Sequence, residues 1–334
     1  MLRVSVIGAG FGAQHLEWLA QFPDVTADVL VYRSDRERAR QVAAVHGVPW
    51  VSGDVRDAIE GESDVVVIAA PVYAHAELVE RALRRGKSVV CEKPLALDAK
   101  AAEAMVRAAD AAGVPTMTMF QWRWHPCFRA LRDLVASGRL GRMLQADLRF
   151  EHDFLADQTT PFPWRHTRAQ AGGGALADQG VHLFDLLRWL TGEEYEVRGV
   201  ASSVLWDVRR SGATSLAGDT EDAGSVLLQS PGGLAATVSV ARVTRGCRRM
   251  RVTISGTSCV AWAEVWPETG AGQLGSSGAD SIRTWPTGSL ANPYAGFLAR
   301  DDAKACSDVP DFTDGLAAQR LLDVATGHSP TVLG

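Results

Sequence analysis

The sequence has few cysteines, no long apolar run and no excess of positive charge. Its 334 residues include five cysteines, and no two of them are spaced as Cys-x-x-Cys. This scarcity excludes a disulfide framework and argues against a zinc site, so we expect free thiols, a reducing compartment and no bound metal. No apolar stretch approaches the roughly 18 residues that a membrane helix needs, so we expect no membrane partner. Met1 leads straight into an apolar run, which leaves no room for a signal peptide, and we expect a cytoplasmic protein.

The charge balance gives no field that would attract nucleic acid. Lys and Arg number 34 against 39 Asp and Glu, a net charge of −5, and the charges are spread along the chain. We therefore expect no nucleic-acid partner. The content of 46% hydrophobic residues is that of a globular protein, and the length suggests about two domains.

Residues 1–120 alternate short apolar runs with helical patterns. The run Val65 to Ala69 is wholly apolar, as a strand buried on both faces should be. Ser34 is placed to cap a helix from Asp35 to His46. The β–α alternation predicts an α/β domain with a doubly wound parallel sheet.

The pattern changes over residues 121–334. Between Glu196 and Trp266 the chain reads as successive strands broken by polar or glycine-rich turns, which predicts an α+β domain with an antiparallel sheet. The stretch Gly270 to Ser281 is rich in Gly and Ser, and we expect a surface loop there. A last amphipathic helix covers about 313–325 and can pack back on the first domain.

A glycine-rich loop follows the first strand and opens the first helix. Its residues are Gly8, Ala9, Gly10, Phe11, Gly12 and Ala13. Gly8 permits a tight turn, Gly10 lets a pyrophosphate approach the backbone, and Ala13 lets the helix pack close to the strand. The free N–H groups of the helix N-terminus favour an anion. The loop therefore predicts dinucleotide binding.

The second strand ends without the acid that usually binds the ribose of NAD. Arg33 stands at that place and Ser34 follows it. Both can bind a 2′-phosphate, so we favour NADP (as NADPH) and keep NAD as the alternative, with Asp35 on the ribose.

Two further patterns carry acid–base groups. Lys93 follows a buried-type strand, and the carboxyl ends of parallel strands are where such sheets bind ligands. Asp178 and His182 are four residues apart on a predicted helix and so share one face. A carboxylate beside an imidazole can serve as a base and its orienting group, although such a pair is more often structural.

The order of these motifs resembles the Gfo/Idh/MocA family of NAD(P)-dependent oxidoreductases, which includes enzymes similar to glucose–fructose oxidoreductase and inositol 2-dehydrogenase. The resemblance rests on Gly8 to Ala13, on Glu92-Lys93-Pro94 and on the segment Asp178 to His182, and it runs over nearly the whole chain. It implies a Rossmann domain and a second domain with a large open antiparallel sheet. It also implies a homodimer or homotetramer.

The resemblance assigns roles to the three acid–base residues. Lys93 bonds the reacting oxygen, Asp178 positions the substrate, and His182 donates or accepts the proton. The substrate implied is a small carbohydrate-like molecule: a sugar, a cyclitol or a sugar nucleotide.

Other residues complete the predicted site. Those expected near the coenzyme are Pro71, His75, Glu92 and Lys93. Those expected to line the substrate pocket are Gln121, Arg123, Trp164 and Arg165, with His152 as a further candidate. Three alternatives stay open: a lyase that cycles tightly held NAD, a reductase of imines or non-sugar ketones, and a sensor that binds NADP without turnover.

Overall fold

The structure is a computed structural model that describes residues 1–160, 167–211, 214–278, 281–299 and 308–327. The described residues divide into two compact units. The first unit comprises Met1–Met119 and Asn292–Leu316, and the second comprises Phe120–Ala291 and Ala317–Gly334. The second domain expected from the sequence covers residues 121–334, with a last helix that can pack back on the first domain, whereas Asn292–Leu316 belongs to the first unit.

The first unit contains a six-stranded parallel sheet. Its strands are β1 (Leu2–Ile7), β2 (Val25–Val31), β3 (Trp50–Ser52), β4 (Val65–Ile68), β5 (Ser88–Cys91) and β6 (Thr116–Thr118). Their order in the sheet is β3-β2-β1-β4-β5-β6, and every neighbouring pair is parallel. That order is the dinucleotide-binding one, with a ligand crevice where the strand order reverses between β1 and β4. All four residues of β4 are buried, which confirms the apolar-strand interpretation.

Five helices connect these strands. They are α1 (Gly12–Leu19), α2 (Arg36–His46), α3 (Val55–Ile59), α4 (His75–Arg84) and α5 (Ala99–Ala112). Asp35, and not Ser34, is the N-cap of α2, since its carboxylate accepts a hydrogen bond from the N–H of Arg38 at 2.9 Å. Gly47 ends the same helix in the left-handed conformation.

The second unit is built on an eight-stranded mixed sheet. Its strands are β7 (Met143–Glu151), β8 (Glu196–Ser203), β11 (Ala223–Gln229), β12 (Ala235–Ala241), β13 (Arg249–Gly256), β14 (Val260–Trp266), β15 (Ala271–Ser276) and β16 (Arg283–Trp285), and a separate hairpin holds β9 (Val208–Ser211) and β10 (Thr214–Ala217). The order is β16-β15-β14-β13-β7-β12-β11-β8, antiparallel except between β7 and β12. Alternating burial along β11 and β12 shows one face turned to the core and one outward.

Helices cover the buried face of this sheet. They are α6 (Pro126–Ala136), a π-helical turn (Leu176–Gly180) and α8 (Val181–Thr191), and the short helix α7 (Arg168–Ala171) precedes the π-helical turn in the chain. Nine of the eleven residues of α8 are buried, and its leucines pack in the core with Leu148 of β7. Burial of these residues is the main stabilising contribution in this unit.

The segment Gly270 to Ser281 is partly a strand, so the expected loop is wrong for β15. Two of its glycines are there because space is short. A Cβ on Gly272 would lie 2.6 Å from Cε1 of His125, and one on Gly275 would lie 2.6 Å from the indole of Trp262. These two glycines allow close packing of the sheet.

Two helices complete the chain. The first is α9 (Tyr294–Leu298), and the second is α10 (Phe312–Ala325). The residues of α10 up to Leu316 are assigned to the first unit and the later ones to the second. Among the described residues, no helix has the length and apolar character needed to cross a bilayer.

Candidate active site

The glycine loop of the first unit has the geometry of a phosphate cradle. Gly8 has a φ of +113°, and a Cβ there would lie 2.3 Å from the carbonyl oxygen of Ala69, so only glycine fits. A Cβ on Gly10 would have no described atom within 4 Å. The backbone at Gly10 is therefore open to a ligand, beside the N-terminus of α1.

The close packing of α1 on the sheet occurs at Gly12. A Cβ on Gly12 would lie 2.8 Å from Cγ1 of Val6, whereas Ala13 is only partly buried. From the sequence, this packing role is expected of Ala13. The structure shows a close approach of α1 to β1 at Gly12 as well, one residue earlier.

Arg33 lies just beyond the end of β2, on the surface. Its guanidinium donates a hydrogen bond to the hydroxyl of Tyr73, which is itself exposed. Ser34 is also exposed. Asp35, the alternative ribose ligand, is engaged as the N-cap of α2.

Glu92 and Lys93 follow β5 directly. Lys93 is partly buried, and its backbone N–H donates to Oε2 of Glu92 at 3.2 Å. The Lys93–Pro94 peptide bond is cis. Burial would raise the pKa of Glu92, but a hydrogen bond from His15 and the nearby charge of Lys93 outweigh it, so the pKa is lowered and the carboxylate is ionised.

His15 was not identified from the sequence, and it links Glu92 to a distant tyrosine. The ring of His15 is fully buried, with Nε2 at 3.0 Å from Oε1 of Glu92 and Nδ1 at 2.6 Å from the hydroxyl of Tyr294. Burial raises the pKa of Tyr294 well above its ordinary value, so the hydroxyl stays protonated and is able to donate a hydrogen bond to Nδ1 of the neutral imidazole. Nε2 then carries the imidazole proton and donates to the carboxylate.

His75 is completely buried within the first unit. Its Nε2 lies 2.9 Å from the carbonyl oxygen of Ala70, and its Nδ1 lies 3.1 Å from that of Pro94. Burial lowers its pKa. These contacts favour a structural role for His75, which connects the loop after β4 to the turn after β5. They do not favour the direct coenzyme contact expected from the sequence. Pro71, also expected near the coenzyme, begins the turn that leads to α4 and is partly buried.

Asp178 and His182 lie in the second unit, on the π-helical turn and the first turn of α8. The N–H of Val181 reaches the carbonyl of Leu176, five residues earlier, in place of the usual four. Such π-helical turns occur often at functional sites. Asp178 is partly buried, and His182 is buried with its ring edge-on to that of Phe120, centroids 6.0 Å apart. The two residues were predicted from the sequence, but the π turn that carries Asp178 was not.

His152 follows β7 directly, and the charge of Asp178 affects its pKa. The N–H groups of Asp153 and Phe154 donate to its Nδ1 at 2.9 and 3.0 Å, which places the imidazole proton on Nε2, toward Glu268 at 3.6 Å. Burial lowers the pKa of His152, and the carboxylates of Glu268, Asp153 and Asp178 oppose that shift. His152 is thus a neutral donor near Asp178.

Two of the predicted substrate residues have contrasting surroundings. Arg123 is buried, and its Nε donates to Oδ2 of Asp185 at 2.8 Å in a two-point ion pair. This favours a structural role for Arg123 over the sugar contact expected from the sequence. The side-chain oxygen of Gln121 is buried with no hydrogen-bond partner in the described part of the chain, as suits a group that meets a ligand. Trp164 and Arg165 lie outside the described residues.

The structure thus groups the candidate residues in two sets. The glycine loop, Arg33, Glu92 and Lys93 belong to the first unit, and Gln121, His152, Asp178 and His182 belong to the second. Across the described ranges, no cluster of three or more His, Cys, Asp or Glu side chains could hold a metal ion.

Comparisons with known proteins agree with this division. Residues 2–120 match the model of an oxidoreductase family with an NAD-binding Rossmann fold, and residues 128–261 match the GFO/IDH/MocA C-terminal domain. Inositol 2-dehydrogenase of Rhizobium meliloti (strain 1021) is 31% identical over 97% of this chain and 96% of its own length.

Solved structures give the same result. An oxidoreductase domain protein from Kribbella flavida has a TM-score of 0.85 and 27% identity, and levoglucosan dehydrogenase in complex with NADH has a TM-score of 0.84 and 26% identity. Each comparison covers 98% of this chain and 96% of the other. The chain belongs to the GFO/IDH/MocA family of oxidoreductases, with an NAD-binding Rossmann domain followed by the C-terminal domain of that family.

Proposed function

We propose that this oxidoreductase moves hydride to or from a secondary alcohol carbon of a sugar, a cyclitol or a sugar nucleotide. The observation that carries the proposal is that Asp178 and His182 lie on consecutive turns of one helical segment, in a chain whose first unit holds a coenzyme loop and Lys93. Relatives named for inositol and levoglucosan support a polyhydroxylated substrate.

The residues divide the work as follows. A nicotinamide coenzyme held at the glycine loop would provide the hydride chemistry. The ammonium of Lys93 donates to the reacting oxygen and stabilises its negative charge. His182 takes the hydroxyl proton or returns it, and Asp178 orients the substrate. The oxygen of Gln121 is available to a further hydroxyl of the substrate.

The proposal includes a preference for NADPH over NADH. Arg33 and Ser34 are exposed where the 2′-position of the adenosine ribose is expected, and Asp35, the acid next to them in sequence, is engaged as the N-cap of α2. A guanidinium and a hydroxyl suit a phosphate better than a ribose hydroxyl. The NADH complex of the similar levoglucosan dehydrogenase makes NAD the alternative to be tested.

The test is a panel of inositols, anhydro-sugars, aldoses and sugar nucleotides, assayed with each coenzyme. With the substrate that is turned over, Lys93→Ala and His182→Ala should each lower kcat/KM about 100-fold or more. The matched control is Lys100→Ala, an exposed lysine of α5, which should equal wild type. Full activity in both variants would overturn the residue assignment, and stoichiometric bound coenzyme without net turnover would point to the cycling lyase.

We also propose a homodimer or homotetramer, as the family resemblance implies. Light scattering of the eluted protein, with a mass two or four times that of the chain, tests this proposal. A monomer at micromolar concentration would contradict it.

A further inference from the structure

Glu221 closes the N-terminal end of the helical segment that carries Asp178 and His182. Its Oε1 accepts from the N–H of Gly174 at 2.8 Å and from that of Leu176 at 3.0 Å. Its backbone carbonyl accepts from the N–H of Ala175 at 2.9 Å. One residue thus binds three successive N–H groups that a helix start leaves without intrahelical partners.

The contact is close enough to require glycine on the helix side. A Cβ on Gly174 would lie 1.9 Å from the carbonyl oxygen of Glu221. A side chain at Gly174 would therefore push the segment away from Glu221. This gives the run Gly172 to Gly174 a physical reason that the sequence motif alone does not supply.

Glu221 is buried at 3% exposure, and a cation lies beside it. Nη2 of Arg168 lies 3.7 Å from Oε2 of Glu221. The backbone N–H of Arg168 is itself held by Oδ1 of Asp219 at 2.7 Å. The carboxylate of Glu221 therefore has N–H donors and a cation around it, as a buried charge requires.

The next residue, Asp222, is connected to a different part of the second unit, the loop that follows His152. Its Oδ1 accepts from Nε of Arg242 at 2.9 Å and from Nη2 of Arg209 at 3.2 Å. Nη1 of Arg209 donates to the carbonyl oxygens of Leu155 and Asp157, at 3.0 and 3.1 Å. These two carbonyls belong to the loop that follows His152, so Asp222 anchors that loop through Arg209.

We propose that Glu221 and Asp222 together fix the helical segment that carries Asp178 and His182 relative to the loop that follows His152. Glu221 is the positioning residue for Asp178 and His182. The two side chains leave the same point of the chain in two directions, one to the helix and one to the loop. Their adjacency fixes the spacing of groups that the proposed function requires to meet one substrate, and in that respect the inference rests on the proposed function.

The test separates the effect of the length of the Glu221 side chain from the effect of its charge. Glu221→Gln keeps an oxygen at the same reach, so kcat should stay within about threefold of wild type, since neutral acceptors still bind the N–H groups. Glu221→Asp keeps the charge but withdraws it by one C–C bond, about 1.5 Å. A displacement of that order should lower kcat about 100-fold. The dissociation constant of the coenzyme, which binds the first unit, should not change in either variant.

Hydrogen–deuterium exchange over residues 174–186 provides a readout that needs no substrate. Exchange should be faster in Glu221→Asp and unchanged in Glu221→Gln. If Glu221→Asp does not fold, Glu221→Met, which keeps the length without an acceptor, should show the same fast exchange. The control is Glu196→Asp, an exposed glutamate at the start of β8, which should match wild type.

The outcomes are separable. Wild-type exchange in Glu221→Asp or Glu221→Met, or an equal loss of kcat in the Gln and Asp variants, would overturn the positioning role of Glu221. If wild type turns over no member of the substrate panel, the proposed function fails while the exchange data still decide the role of Glu221. Faster exchange with a lowered kcat and an unchanged coenzyme affinity would support both.

Discussion

His15 and Glu92 form a partly buried hydrogen bond, with Nε2 at 3.0 Å from Oε1, between the helix that opens at the glycine loop and the turn that carries Lys93. Tyr294 holds the far side of the imidazole and sets its tautomer. The phosphate-binding helix and the proposed catalytic lysine are therefore connected through one ring. The five predictions that follow test this connection, the coenzyme loop, the role of Arg33 and the buried ion pair of the second unit.

Tyr294→Phe should destabilise the protein while leaving its shape intact. The substitution removes the donor to Nδ1 of His15 and leaves a buried acceptor without a partner, at a cost of about 1 to 3 kcal/mol. Urea unfolding followed by circular dichroism measures the loss. Tyr73→Phe, which removes an exposed hydroxyl, is the control and should change stability by less than about 0.5 kcal/mol. Equal effects of the two substitutions would contradict the tautomer assignment.

The stabilisation from Glu92 should depend on pH. Its pKa in the folded protein is lowered below the ordinary value of 4.5, so the ionised group stabilises the fold above that pH. The contribution is lost as the pH falls through the lowered pKa. The free energy of unfolding of Glu92→Gln should therefore differ most from wild type near neutral pH, and the gap should close in acid. A gap that stays constant with pH would show that the charge of Glu92 contributes nothing.

Alanine substitutions in the glycine loop should separate folding from coenzyme binding. Gly10→Ala places a methyl group where no described atom lies within 4 Å, so the melting temperature should match wild type while coenzyme affinity falls at least tenfold. Gly12→Ala drives a Cβ against Val6 and should cost about 1 to 3 kcal/mol of stability. Thermal melts with fluorescence titration of NADPH and NADH measure both effects. A stable Gly10→Ala that binds coenzyme normally would refute the phosphate role of the loop.

Arg33→Ala should weaken NADPH binding about tenfold or more and leave NADH binding nearly unchanged, because one charge-assisted hydrogen bond is worth about 1.5 to 3 kcal/mol. Arg40→Ala, an exposed arginine further along α2, is the control. Fluorescence titration gives both constants. Tighter NADH than NADPH binding by wild type would assign the protein to NAD and leave Arg33 as a surface residue bonded to Tyr73.

Asp185→Asn should be among the more destabilising substitutions in the second unit. It leaves the buried charge of Arg123 without the carboxylate that faces it, at a cost of about 3 to 5 kcal/mol. The control is Glu196→Gln, which breaks an exposed pair with Arg198 and should cost less than about 1 kcal/mol. Normal stability combined with weakened sugar binding would instead favour the substrate role that the sequence suggested for Arg123.

Much of the first unit was predictable because its signals are local. The run Val65 to Ile68 is apolar because both faces of a parallel strand are covered, and Gly8 is required by one turn. The loop expected at Gly270 to Ser281 failed because composition does not show what a glycine packs against, here His125 and Trp262.

The sequence by itself determined the β–α alternation, the open loop at Gly10, and Lys93, Asp178 and His182 as candidate residues. Only the tertiary structure decided which groups those residues meet. His15 bonds to Tyr294, 279 positions away in sequence, and Arg123 pairs with Asp185, 62 positions away. Glu221 accepts a hydrogen bond from the N–H of Gly174, 47 positions before it. Such pairings depend on how strands and helices are arranged in space, and a local pattern carries no information about a partner that the fold alone brings within hydrogen-bond distance.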